Sequence, residues 1–163
     1  MSQIRLRPYR KSDEDKILSW CSDEVTFQRW TFGLLGDYPV TSERFQKTAD
    51  LMRFVATEDD EPVGFFTARN LYDGPEQMRF GYGIIAPDKR YKGIGKAMLQ
   101  LGLDFAFNIY KTNRVTLGVL EDNMPGINCY TAIGFADTGT RESYVINGEE
   151  HHAIEMACTP DSR

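Results

Sequence analysis

Apolar and charged residues alternate over Ile4-Arg5-Leu6-Arg7, the period of a half-buried strand, and Pro8 ends it. Ser12-Asp13-Glu14-Asp15 then reads as a helix start, a hydroxyl cap followed by acids in the first turn, with Ile17, Leu18 and Cys21 facing inward. Residues 23–39 lack either period and read as an irregular, aromatic-rich segment. A second helix opens at Thr41-Ser42 and runs to about Asp50. Three strands follow: Arg53–Thr57, Val63–Asn70 and Met78–Ile85, joined by turns at 59–62 and at Asp73-Gly74-Pro75. Apolar residues at Ile94, Met98, Leu101 and Phe105 predict a long helix from about Ile94 to Asn108. The remainder predicts a short strand Arg114–Leu120, a helix Pro125–Ile133 ended by Gly134, and a hairpin of Gly139–Ile146 and His151–Ala157. Asn147-Gly148 marks the hairpin's turn. The sum is an α+β chain with a mostly antiparallel sheet, read as one domain over residues 1–163.

Composition narrows the function classes. The chain has 163 residues and a net charge of −5, which argues against bulk affinity for nucleic acid or an anionic membrane. Cys21, Cys129 and Cys158 are odd in number and widely spaced, the pattern of reduced thiols in a cytoplasmic protein. His151-His152 have no accompanying ligand cluster, and neighbours on a strand point to opposite faces, so no metal site is expected. The first residues carry charges where a signal peptide needs an apolar stretch, and no run is long enough to span a bilayer.

The chemistry gathers in Ile84-Ile85-Ala86-Pro87-Asp88-Lys89-Arg90-Tyr91-Lys92-Gly93-Ile94-Gly95-Lys96. An apolar strand enters a basic loop, two glycines follow, and a helix begins. Amide groups in a helix's first turn lack intrahelical partners, and the helix dipole adds positive charge there. Arg90, Lys92 and Lys96 add cations around the same point. A P-loop is excluded because Gly95-Lys96-Ala97 lacks the hydroxyl residue, and a dinucleotide fingerprint because Met98 replaces the third glycine. A basic loop in an acidic chain points to an anionic cofactor beside a cationic substrate.

A second motif, Asn123-Met124-Pro125-Gly126-Ile127-Asn128-Cys129-Tyr130-Thr131-Ala132-Ile133-Gly134-Phe135, lies downstream of Arg90-x-x-Gly93-x-Gly95. The pair resembles the GNAT N-acetyltransferase family, which transfers acetyl from acetyl-CoA to an amine. Phe80-Gly81-Tyr82 and Ile4-Arg5-Leu6-Arg7-Pro8 resemble the branch that includes ribosomal-protein N-terminal acetyltransferases. The resemblance implies a splayed, mostly antiparallel sheet flanked by helices on both faces, with the pantetheine arm of the cofactor in the splay beside Ile84 and Ile85. It also implies a pyrophosphate cradle made by Arg90, Tyr91, Lys92, Gly93, Ile94, Gly95 and Lys96, with Asn123 and Tyr130 completing the cofactor site.

Acetyl transfer needs a neutral amine, a donor for the developing oxyanion and a proton for the leaving thiolate. By the resemblance, a backbone N–H near Ile85 supplies the second and Tyr130 the third. A tyrosine of pKa about 10 is neutral at pH 7 and so has a proton to supply, a transfer about 1.5 units uphill to the thiolate of a thiol of roughly 8.5. The alternative for Tyr130 is a packed aromatic on a helix, and Asn123 reads equally as the cap of the helix at Pro125. Cys129 reads as a small apolar filler because no histidine partner accompanies it.

The general base is not evident. Many family members carry a glutamate on the strand before the loop; here Gln77-Met78-Arg79-Phe80-Gly81-Tyr82-Gly83 has none. Glu76, Glu121, or a water chain held by backbone and Tyr82 remain as options, and each acid reads first as a solvated surface charge. A lysine-like amine of pKa about 10.4 is neutral in about one molecule in 2,500 at pH 7, an α-amine in roughly one in ten. The missing glutamate therefore favours an α-amine, as in a peptide N-terminus or an amino acid, over other small amines. Trp30, Phe32 and Tyr38 could wall the acceptor side, with Asp23, Glu24 and Asp37 attracting a cation, or could simply pack a loop. The rival reading is a non-catalytic acyl-CoA-binding regulatory domain. The late hairpin offers an edge for a homodimer, and a monomer is equally compatible.

Overall fold

A computed structural model describes residues 3–71 and 76–163. The chain opens with β1 (Ile4–Pro8), a 3-10 turn at Lys11–Asp13, α1 (Glu14–Ser19), α2 (Glu24–Thr31) and α3 (Ser42–Phe45), which a 3-10 turn extends over Gln46–Thr48. β2 (Met52–Glu58), β3 (Glu61–Leu71) and β4 (Gln77–Ile85) follow as an antiparallel meander. Then come α4 (Ile94–Asp104), β5 (Arg114–Leu120), α5 (Met124–Ala132), β6 (Ala136–Ile146) and β7 (Glu149–Cys158). The seven strands form one sheet in the order β1-β2-β3-β4-β5-β7-β6, antiparallel except where β4 meets β5.

Helices cover both faces. On one, α4 lays Met98, Leu99 and Leu103 over Phe66, Phe80 and Val115. On the other, Ile17 of α1, Phe27 of α2 and Phe45 of α3 pack against Val55 and Phe65. Both connections at Asp59-Asp60 and Asn147-Gly148 hold positive φ at each central residue, the turn whose twist matches paired strands. The expected turn at Asp73-Gly74-Pro75 lies outside the described residues.

Three expectations are corrected. The segment 23–39 is not wholly irregular: α2 occupies its first half, capped by Asp23, whose carboxylate accepts from the Thr26 N–H at 2.8 Å. Its buried side includes Gln28 and Thr31, which hides the apolar period. Gln28 donates to the Gly36 carbonyl and Thr31 to the Phe27 carbonyl, so both are satisfied without solvent. The helix at 41–50 is a single turn plus a 3-10 turn. The long helix ends at Asp104 and widens into a π turn over Phe105–Ile109, where Phe105 packs on Phe54 with ring centroids 5.2 Å apart.

Candidate functional site

β4 and β5 pair only through Gln77↔Arg114, Met78↔Val115 and Arg79↔Thr116. Beyond these positions the strands part, and a cavity of about 1030 Å³ is lined by both of them. Two devices shape its β4 wall. The register against β3 slips by one residue between Gly81 and Ile84, so Tyr82 and Gly83 together oppose Phe66. Tyr82 accordingly takes the left-handed conformation, φ 50°, which a bulky residue holds only when its surroundings impose it. Trp30 of α2 imposes it by donating from Nε1 to the Tyr82 carbonyl at 2.9 Å.

Past the bulge, the Ala86 N–H donates to the Val63 carbonyl at 2.9 Å. Ile85 opposite Gly64 is therefore a pair without ladder bonds, and its own N–H and C=O turn away from β3 toward the split. The Ile85 carbonyl accepts from Arg90 Nε at 3.1 Å, which folds the basic loop back onto the strand end. Gly93 caps α4 with φ 80°, a conformation that side chains resist, and no atom lies within 4 Å of where a Cβ would stand. The N–H groups of Ile94, Gly95 and Lys96 open the helix without intrahelical partners, and Gly93, Gly95 and Lys96 line the cavity here.

The cavity gathers most of the residues singled out above. Ile84, Ile85, Arg90, Tyr91, Gly93, Gly95, Lys96, Asn123 and Tyr130 all line it. Lys92 and Ile94 do not: Lys92 is exposed and Ile94 is buried in the core, so they belong to the loop by backbone alone. Asn123 fills the capping role, its Oδ1 accepting from the Gly126 N–H at 3.1 Å at the start of α5, and the residue also lines the cavity. Tyr130 packs on Phe135 at 6.1 Å, and its hydroxyl makes no hydrogen bond to a described residue. Burial pushes its phenol up to about 12. Cys129 also lines the cavity, and burial raises its thiol, which keeps it in the poorly nucleophilic protonated form.

Neither glutamate weighed as a base lines the cavity. Glu76 is exposed before β4, at the closed end of the β4–β5 pair, where its carbonyl accepts from Asn113. Glu121 is exposed just after β5. Tyr82 does line the cavity, and burial raises its phenol while Arg69 pulls it down.

The cavity is also lined by Phe32 and by three residues that no local motif marked, Arg79, Gly118 and Tyr144. Phe32 takes φ 53° at the end of α2, and its ring lies 4.8 Å from that of Tyr144 on β6. The Tyr144 hydroxyl donates to Glu142 Oε2 at 2.6 Å, and Arg79 of β4 reaches the same oxygen at 3.1 Å. Gly118 permits this crossing, because a Cβ there would stand 3.0 Å from the Arg79 guanidinium and 3.4 Å from the Phe32 ring. Burial first, and the bond to Glu142 second, push the Tyr144 phenol up to about 12. Trp30 and Phe32 line the cavity; Tyr38, Asp23, Glu24 and Asp37 do not.

A model of the acetyltransferase (GNAT) family matches residues 16–135. This chain belongs to that family. Among curated GNAT-type relatives, an N-alpha-acetyltransferase of Sulfurisphaera tokodaii is 33% identical over 110 residues, 62% of this chain and 66% of the relative. A spermidine N(1)-acetyltransferase of Vibrio cholerae is 32% identical over 74 residues, and the match spans 45% of this chain and 43% of that protein. In fold, the chain superposes with TM-score 0.83 and 20% identity on a solved spermidine N-acetyltransferase from Vibrio cholerae in complex with CoA and spermine. That superposition covers 98% of this chain and 97% of the other. The GNAT cosubstrate fits the residues present: unpaired amides and cations at the α4 end suit a pyrophosphate, and the apolar split suits an extended arm. Among the described residues, no helix is long and apolar enough to cross a membrane.

Proposed function

We propose that this family member moves acetyl from acetyl-CoA directly to a primary amine within a ternary complex. The observation that carries the reading is the single cavity bringing together the Ile85 amide, the free amides of α4 and the unengaged Tyr130 hydroxyl. Bound acetyl-CoA supplies an activated thioester. The loop amides and Arg90 and Lys96 hold its phosphates, and the Ile85 N–H, fixed before the reaction, stabilises negative charge on the acetyl oxygen. Tyr130 holds the proton that the leaving sulfur takes up; a phenol raised to about 12 keeps that proton at neutral pH.

The amine's own proton takes another path. Because Glu76 and Glu121 stand off the cavity, we assign this path to Tyr144, which accepts at its hydroxyl oxygen while passing its proton to Glu142. The acceptor is a peptide N-terminus, an amino acid or another small amine; relatives bearing the names N-alpha-acetyltransferase and spermidine N(1)-acetyltransferase support an amine acceptor. β6 is a sheet edge suited to a homodimer, and three unpaired thiols suit the reducing cytoplasm.

Thiol release from acetyl-CoA across a panel of amines and peptides tests this reading. Release that depends on an amine, with the acetylated amine found by mass spectrometry, is expected. CoA binding without release for any amine would instead mark a non-catalytic binding domain.

A further inference from the structure

The acceptor half of the cavity is charged in a way that composition did not predict. Among the described residues no carboxylate lines the cavity, although the chain carries 24 acids against 19 lysines and arginines. Besides Lys89, Arg90 and Lys96 of the basic loop and helix start, four cations line it: Arg29, Lys47, Arg69 and Arg79. Two are neutralised from behind. Arg29 pairs with Asp122 at 2.6 Å, and Arg79 with Glu142 at 3.1 Å and Glu155 at 3.6 Å. Lys47 and Arg69 have no hydrogen bond or ion pair with a described residue. Arg69 stands close enough to Tyr82, at the bulge, to act on its phenol.

We infer that the acceptor amine carries a carboxylate, held by Arg69 in the cavity that Lys47 also lines, as its amine approaches Tyr82 and Tyr144. This rests on the acetyl-transfer reading above and names its substrate class. A free guanidinium offers two parallel N–H groups to a carboxylate, a geometry that fixes orientation as well as charge. The same cations disfavour an acceptor whose only charges are ammonium groups, such as a polyamine. They also lower the pKa of the acceptor's own ammonium, which raises the neutral fraction and does part of the work of the missing strand glutamate. The carboxylate offsets the repulsion between these cations and the incoming amine. A free amino acid and a peptide whose carboxylate lies near its N-terminus share this chemistry.

The test is calorimetric binding in saturating CoA, followed by turnover with acetyl-CoA. The probes are leucine, leucinamide, a peptide beginning Ser-Glu, its Ser-Gln counterpart, and spermidine. Binding about tenfold tighter for one carboxylate-bearing probe than for its matched amide is expected, the loss of one charge-assisted bond. The leucine and peptide pairs tell which source supplies the carboxylate. Arg69→Gln should erase the preference, and Arg69→Lys should keep part of it, with CoA affinity unchanged in both. Tighter binding of spermidine, or a preference intact in Arg69→Gln, would overturn the inference and leave acetyl transfer standing. Failure to bind CoA, or turnover of none of these amines, would overturn both.

Discussion

Trp30 and Tyr82, 52 residues apart, are joined by a 2.9 Å hydrogen bond from the indole nitrogen to a carbonyl in left-handed backbone. That bond couples α2 to the bulge in β4, and the bulge sets which amides reach the split. Trp30→Phe keeps most of the ring contact with Phe27 and Phe65 but removes the donor. The expected outcome is a fall of about five- to tenfold in kcat/KM, the worth of one hydrogen bond, with melting shifted by only a few degrees. Steady-state kinetics beside a thermal melt would check it. An unchanged kcat/KM would mean that the bulge holds its shape without the indole.

In the proposed mechanism Tyr130→Phe removes the proton for the departing sulfur, and it leaves the ring packed on Phe135. A drop of about 100-fold in kcat is expected, with CoA affinity within a factor of two. The pH dependence has a definite sign. The acid form is the active one and persists below a pKa of about 12, so wild-type kcat should show no loss from this group between pH 7 and 10. An alkaline decline near pH 8.5 that vanishes in the phenylalanine variant would contradict the assignment.

Tyr144→Phe removes the hydrogen bond to Glu142 and with it the proposed path for the amine's proton. Its effect should be largest at low pH, where most of the acceptor is an ammonium, and should shrink as pH approaches the acceptor's own pKa. Comparison of pH–rate profiles between pH 6 and 9 reads this directly. A uniform decrease at every pH would point to lost packing against Phe32 instead.

Much of this layout was legible in the chain, and the illegible parts have physical reasons. Strand alternation over Ile4–Arg7 and the Asn147-Gly148 turn are local signals, and both elements stand where they were expected. The glycine loop and the helix it opens were legible because they are contiguous in sequence. α2 was not, because buried Gln28 and Thr31 satisfy their polar groups inside the helix and its turn, so the apolar stripe is broken. The cluster of Arg79, Glu142 and Tyr144 was not either. Arg79 and Glu142 lie 63 residues apart and meet only through the β5–β7–β6 register and the missing side chain at Gly118.

Stability should depend on Asp13, far from the chemistry. Its carboxylate is buried, takes two 2.8 Å bonds from Arg7 and one from the Arg10 amide, and the Arg7 bonds hold its pKa below the usual carboxylate range. A lowered folded pKa contributes stability that is present above the unfolded value and lost as pH falls through the folded one. Asp13→Asn should therefore cost about 1–3 kcal/mol at pH 7, and the gap to wild type should close below about pH 4. Urea midpoints at pH 7 and pH 3 provide the comparison. An equal gap at both would assign the loss to packing.

The central claim is that the split between β4 and β5 receives acetyl-CoA, and amide spectra of 15N-labelled protein titrated with acetyl-CoA test it most directly. Saturable shifts at Ile85, Gly93, Ile94, Gly95 and Lys96, with β1 and β2 unmoved, are the predicted result. Shifts that leave these amides in place, or that cluster elsewhere on the chain, would contradict it.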